Sequence, residues 1–321
     1  MKIDKFVFAI IISIILAYFF PQLGVKENAI ALDRIASIGI SLIFFFYGLK
    51  LSTEAIKSGL KNWRLHIVVQ TSTFILFPLT VLAFYPLVKN TNQETLWLSL
   101  LFLAALPSTV SSSVVMVSLA KGNIPAAIFN ASISGIIGIL VTPMWMTSFI
   151  QETSANYNFS AIYLQLITEI LLPLILGLLL RKHLGELARK YSRKLTLFDK
   201  SIILLIIYKS FVQSFEEKVF SSLNILNLLL MVLLVIALFF FVFWLTGWIA
   251  KRLHFNREDK ITAQFCGTKK SLVHGTVFSD ALFGQTNIMG LMLLPLMIFH
   301  AFQILIISII ATKKGTEEAK S

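Results

Sequence analysis

Charge is what this sequence has least of. Of 321 residues only 14% are Asp, Glu, Lys or Arg, against about 25% in soluble domains. Acidic residues are scarcer than basic ones, 16 against 28. Cysteine occurs once, at Cys266, so no intrachain disulfide can form, and its apolar surroundings say little about redox compartment. Gly-rich phosphate loops, zinc-spaced Cys/His clusters and a Gly-x-Ser-x-Gly turn are all missing. These absences exclude a soluble globular enzyme, a disordered chain and a disulfide scaffold. What fills the sequence is apolar: 57% hydrophobic residues, 28 of them phenylalanine, and a mean hydropathy of +0.82. An all-α polytopic membrane protein remains.

At about 20 residues per crossing, the apolar runs give ten spans, near 5–20, 30–49, 65–87, 95–119, 124–149, 160–180, 201–215, 223–250, 260–281 and 286–311. The first run ends in Phe19-Phe20-Pro21 with no small-residue processing site, so it reads as an uncleaved helix rather than a signal peptide. Ten spans put both termini on one side. Of the 28 Lys and Arg, 21 fall in segments assigned to that side, including the basic loop 181–200, and five fall opposite, Lys209 among them. Both termini are therefore expected in the cytoplasm. The net charge of +12 belongs to this bias and not to nucleic acid.

Two spans are interrupted. The fourth carries Pro107-Ser108-Thr109-Val110-Ser111-Ser112-Ser113 and the ninth Gly267-Thr268-Lys269-Lys270-Ser271. Irregular backbone survives at bilayer depth only where protein or a wet cavity surrounds it. Pro107 and Gly267 lie 160 positions apart, close to half the chain. Each half then has five spans with its fourth one broken, and an odd number inverts the second half. The spacing predicts two inverted five-helix repeats, 1–155 and 156–321, with a binding site at the breaks, as in secondary transporters.

Lys269 and Lys270 are the most informative residues, since each costs roughly 2.5–3.5 kcal/mol at the centre of a membrane helix. They are expected to meet in a hydrated pocket where the broken segments cross. There they would hold an anionic substrate, or occupy with an ammonium the place of a bound cation. Thr268 and Ser271 flank them. On the fifth span Asn130, Ser132 and Ser134 are candidates, with Asn130 and Ser134 on one face toward the Ser111–Ser113 break. On the third span Gln70 and Thr73 share a face. Glu169 is a candidate lysine partner and, with His274, a candidate for coupling. Asp280 reads as an interfacial carboxylate and His300 as a polar core residue. Serine and asparagine also join membrane helices without binding anything. A Ser/Lys hydrolase using Ser111, Ser112 or Ser113 is the enzyme alternative. No placed oxyanion donor supports it, so no enzyme is expected.

Leu106-Pro107-Ser108-Thr109-Val110-Ser111-Ser112-Ser113 running into Ala120-Lys121-Gly122-Asn123, the ninth-span Gly267-Thr268-Lys269-Lys270-Ser271-Leu272, and Phe46-Tyr47-Gly48-Leu49-Lys50-Leu51 resemble the bile acid:sodium symporter superfamily, in its divergent bacterial SBF-like branch. The resemblance extends over essentially the whole chain. It implies a panel of helices 1, 2, 6 and 7, a core of helices 3–5 and 8–10, and discontinuous fourth and ninth helices crossing at the midplane. It also implies two sodium sites. By position their fourth-helix ligands fall at Ser112-Ser113 or Ser113-Val114, their fifth-helix ligands near Asn130, Ser132 and Ser134, and a third-helix glutamine at Thr73, with Gln70 one turn earlier. The family's ninth-helix Glu-x-Gly-x-Gln-Asn reads here Phe265-Cys266-Gly267-Thr268-Lys269-Lys270. Phenylalanine cannot ligate a cation, and two ammonium groups would repel one.

The expected function is alternating-access transport of a small or amphipathic organic anion in the bacterial inner membrane, with lipid around it, no cofactor, and no certain metal. Sodium symport through Ser112, Ser113 and Asn130, coupling to a proton, and a non-transporting membrane sensor are the competing readings.

Overall fold

The computed structural model describes residues 5–23, 26–51, 62–109, 111–150, 164–216, 218, 225–284 and 286–318, with no strand among them. The repeat boundary at 155/156 and the basic residues Lys2, Lys57, Lys61 and Lys320 lie outside the described residues. The helices are α1 (Lys5–Phe19), α2 (Lys26–Lys50), α3 (Trp63–Leu82), α4 (Glu94–Ala105), α5 (Ser111–Leu119) and α6 (Ile124–Ile150). They continue as α7 (Leu164–Lys190), α8 (Ser192–Glu216), α9 (Ile225–Arg252), α10 (Arg257–Thr268), α11 (Leu272–Phe283) and α12 (Met289–Glu318). Six of these contain stretches long and apolar enough to cross a bilayer, in α2, α3, α6, α7, α9 and α12; α1 and α4 are shorter apolar helices. Large side chains such as Phe8, Leu226, Leu233 and Trp244 are exposed. Hydrocarbon, not water, is the solvent that suits such a surface.

The expected basic loop at 181–200 is helical instead. α7 continues to Lys190, only Tyr191 interrupts, and α8 starts at Ser192. Arg and Lys are good helix formers, so the helix outlasts its apolar run. The turn after α5 takes one left-handed residue. The left-handed residue is Lys121, φ 54°, rather than Gly122. Gly122 is needed for space, because a Cβ there would come within 2.8 Å of Val117 and 2.9 Å of Ile261. Pro125 sits in the first turn of α6, where its missing N–H costs nothing.

The chain divides into two compact units. The first holds residues Met1–Leu51, Ser154–Asn224 and Thr276–Leu293, and so contains α1, α2, α7 and α8. Its α2 and α7 touch backbone to backbone. A Cβ on Gly48 would strike the Leu174 carbonyl and lie 2.9 Å from the Leu178 nitrogen, and one on Gly177 would strike the Phe45 carbonyl. Small residues permit such approach in membranes, where packing rather than the hydrophobic effect joins helices. Gly48→Val is therefore expected to cost about 2–3 kcal/mol by overpacking against an immovable backbone, read as a lowered unfolding midpoint in detergent. A midpoint equal to wild type would mean the helices can separate freely.

The second unit holds Ser52–Thr153, Ile225–Gly275 and Leu294–Ser321, and with them α3–α6, α9, α10 and most of α12. It contains both breaks. Proline restricts the residue before it to extended conformations; Leu106, preceding Pro107, has ψ 150° and ends α4. The second break mirrors it, with Lys269 at ψ 147° ending α10. α11 restarts on Ser271, whose Oγ accepts from the His274 N–H at 3.2 Å, the hydrogen bond of a helix N-cap.

Candidate functional site

The two breaks lie against each other in the second unit. Ser271 N–H donates to the Pro107 carbonyl at 2.9 Å, and Ser108 Oγ donates to the Cys266 carbonyl at 2.7 Å. An unwound segment leaves backbone groups without helical partners, and each must be accounted for. At the end of α4, the Ala105 carbonyl accepts from Thr142 Oγ1 at 2.8 Å. The Ala104 and Leu106 carbonyls accept from Lys270 Nζ at 2.6 and 2.9 Å. Ser108 N–H donates to Ser134 Oγ at 2.9 Å. Across the way, Gln303 on α12 receives the Lys270 N–H on its Oε1 at 2.9 Å and returns its Nε2 to the Lys270 carbonyl at 2.8 Å.

Both lysine side chains are wholly enclosed, at 0% exposure. Lys269 and Lys270 spend their reach on neighbouring helices and not toward the protein surface. They do so differently. Lys270 Nζ donates to three carbonyls, those of Ala104, Leu106 and Thr73, the last at 2.8 Å, with the Phe77 ring centroid 4.2 Å away. Lys269 Nζ has one hydrogen-bond partner among the described residues, Ser112 Oγ at 2.6 Å. Ser112 in turn shares a hydrogen with Thr109 Oγ1 at 2.8 Å, which shares another with Ser113 Oγ at 2.9 Å. Among the described residues no carboxylate pairs with either ammonium.

The other expected residues divide between the crossing and bonds within their own helices. Asn130 and Ser134 part company: Ser134 meets the break, while Asn130 donates to the Ala126 carbonyl of its own helix at 2.9 Å and accepts from Gln70 at 3.2 Å. Ser134 reaches across to the break while the Asn130 amide turns back onto its own helix, so sharing a helical face did not give them a shared partner. Thr73 donates to the Val69 carbonyl, and Thr268 to the Gln264 carbonyl, each one turn earlier. Ser132 is buried, and the Ser111 side chain lies outside the described residues. Glu169 takes Ser37 Oγ at 2.7 Å and Gln165 Nε2 at 3.3 Å, where a lysine was expected. His274 faces its own N-cap, Ser271 Oγ, at 2.9 Å, and His300 lies beside Gln303.

Two features escaped sequence reasoning. Gln303 is a lone amide in an apolar helix, and polar groups at that depth commonly bridge helices, so the signal existed. Lys209, counted as a topology charge, is instead 2.6 Å from Asp33 and 3.1 Å from Asp280 inside the first unit. Asp280, 10% exposed, is a half-buried partner of this lysine.

A chain of long apolar helices, with two interrupted stretches bonded to each other and two lysines enclosed beside them, is a multi-pass membrane protein. The whole sequence narrows this further. The sequence profile of the SBF-like CPA transporter family matches residues 4–314, and the chain belongs to that family. YfeH of Escherichia coli (strain K12) is 33% identical over 99% of this chain and 96% of its own length. Sodium/bile acid cotransporter 7 of Danio rerio is 31% identical, over 96% and 92%, and an uncharacterized protein of Pseudomonas aeruginosa is 36% identical, over 97% and 92%. The chain is accordingly a bile acid:sodium symporter-like membrane protein.

Proposed function

We propose that this protein carries a small or amphipathic organic anion across the bacterial inner membrane by alternating access, without sodium, and that Lys269 attracts the anion. In this reading the chain crosses ten times, as two inverted halves divided near 155/156, with α4–α5 and α10–α11 as the discontinuous fourth and ninth helices. Both termini face the cytoplasm. The first and second compact units would be the panel and core that exchange access.

The observation that carries the reading is the environment of the Lys269 ammonium. It sits beside Ser112 at the start of α5, whose N-terminal end carries a positive partial charge. An ammonium next to a helix N-terminus, with one hydroxyl partner and no described carboxylate, is short of negative charge. A carboxylate, sulfonate or similar group from a substrate would supply it. Sodium at Ser112, Ser113 and Asn130 fits less well, because the two hydroxyls are engaged with Lys269 and Thr109 and the amide with Gln70. The name of the Danio rerio relative couples sodium to bile acid, which keeps sodium symport as the second reading. Ser112 within 2.6 Å of Lys269 has the spacing of a nucleophile–base pair, but membership of a transporter family weighs against hydrolysis.

Proteoliposomes test this with labelled taurocholate and a set of simple labelled mono- and dicarboxylates, in sodium chloride and in choline chloride. At least one anion should enter above the rate of empty vesicles and at the same rate in both salts. A rate that collapses in choline would return the site to sodium symport. Background uptake of every anion would leave a non-transporting membrane protein.

A further inference from the structure

The two lysines at the crossing have different surroundings, and those of Lys270 point to a site of their own. We propose that the backbone carbonyls of Thr73, Ala104 and Leu106 form a monovalent-cation site whose permanent occupant is the Lys270 ammonium, a cation tied to the chain. This goes beyond the transport reading and does not rest on it.

The acceptors are three backbone oxygens freed by interruptions in two helices. Ala104 and Leu106 end α4, where carbonyls lack intrahelical partners and carry the negative end of the helix dipole. Thr73 lies in a wide-wound stretch of α3, Ser72–Leu76, where the Phe77 N–H bonds back to the Ser72 carbonyl instead of to that of Thr73. All three oxygens lie 2.6–2.9 Å from Nζ.

The count of protons decides what occupies the site. An ammonium has three N–H donors and no lone pair. A neutral amine has two donors, so one of the three carbonyls would face its lone pair at hydrogen-bond distance, oxygen against nitrogen without a proton between them. Three converging acceptors therefore ask for the charged form. The Phe77 ring, 4.2 Å from Nζ, presents its electron-rich face to a cation as well. Rings of backbone carbonyls replace the hydration shell of alkali cations in ion channels, and the same chemistry would receive a free ion here if the lysine were gone. The side chain fills that position in every molecule, so wild-type integrity should be indifferent to the salt around it.

The experiment uses the purified full-length protein in detergent, with thermal unfolding followed in choline, sodium, potassium and ethylammonium chlorides at equal ionic strength. Wild type should unfold at one midpoint in all four. Lys270→Ala leaves the carbonyls empty. It should unfold several degrees lower in choline and regain at least half of that loss, saturably, in one or more of the three smaller cations. Ethylammonium should be among the effective salts, since it restores both the charge and part of the stem. Lys270→Met fills the stem's volume without charge and should stay low in every salt. Lys269→Ala, whose ammonium meets one hydroxyl rather than a carbonyl cage, should gain no cation response. If Lys270→Ala is not recovered folded in choline, preparation in sodium or ethylammonium should restore it. Failure to fold in every salt, an equal midpoint in all salts, a Lys270→Met protein as stable as wild type, or a wild type that shifts as the variant does would each overturn the proposal. Flux enters none of these measurements, so a failed transport assay leaves them intact.

Discussion

Lys269→Met should bring anion uptake down to the level of empty vesicles, a loss of about 100-fold, while the protein remains folded. The hundredfold corresponds to about 2.7 kcal/mol of lost interaction, within reach of one charge-assisted contact in a low-dielectric site. Stability should move the other way. Lys269 is buried with a single hydroxyl among its described partners, and a buried charge without an opposite charge is costly, so an apolar side chain of similar length is expected to leave the fold at least as stable. An unfolding midpoint at or above wild type, together with vanished flux, is the signature of a group kept for binding. Lys269→Arg retains the charge in a larger, planar group and should recover only a fraction of the rate. Wild-type flux in Lys269→Met would remove this residue from the site.

The second large effect is expected at a residue far from any charge balance. Gln303→Met preserves the length of the side chain and removes both bonds to the Lys270 peptide group. Two buried backbone groups are then orphaned, at about 1–3 kcal/mol each. Interhelical hydrogen bonds in membranes average nearer 0.6 kcal/mol because the unfolded chain finds other partners. The break at Lys269–Ser271 cannot offer substitutes without rewinding, so the higher figure governs and a loss of about 2–4 kcal/mol is expected. Detergent unfolding measures it directly. A change under half a kcal/mol would mean that water or a neighbouring hydroxyl takes over both bonds.

Legibility in the sequence followed how local each cause is. Pro107 forbids helix at Leu106 by its own ring, and the interruption of the fourth span could be read from one residue. Lys269 and Lys270 announced themselves by being charged inside an apolar stretch. What each ammonium would meet was not legible, because the partners of Lys270 are carbonyls, which every residue possesses. Only the three-dimensional interruption of α4 and the wide turn in α3 free those particular oxygens. Asn130 and Ser134 shared a helical face on paper, yet one bonds its own helix and the other the crossing. Lys209 fits the count of charges that orients a membrane protein equally well as a surface lysine or as the centre of an ion cluster, so sequence could not separate the two. Helix length beyond the apolar run, as in α7, was hidden for the opposite reason: charge ended the hydrophobic signal but not the helix.

The wide winding at Ser72–Leu76 ties one extra residue in α3 to a proton two helices away. Were α3 wound regularly there, the Thr73 oxygen would be spent on the amide of Phe77, and a three-pronged cation would meet a two-toothed socket. Insertion and lysine are thus halves of one fitting. A lineage shedding either would keep the other only as a liability, and the pair should be gained or lost together.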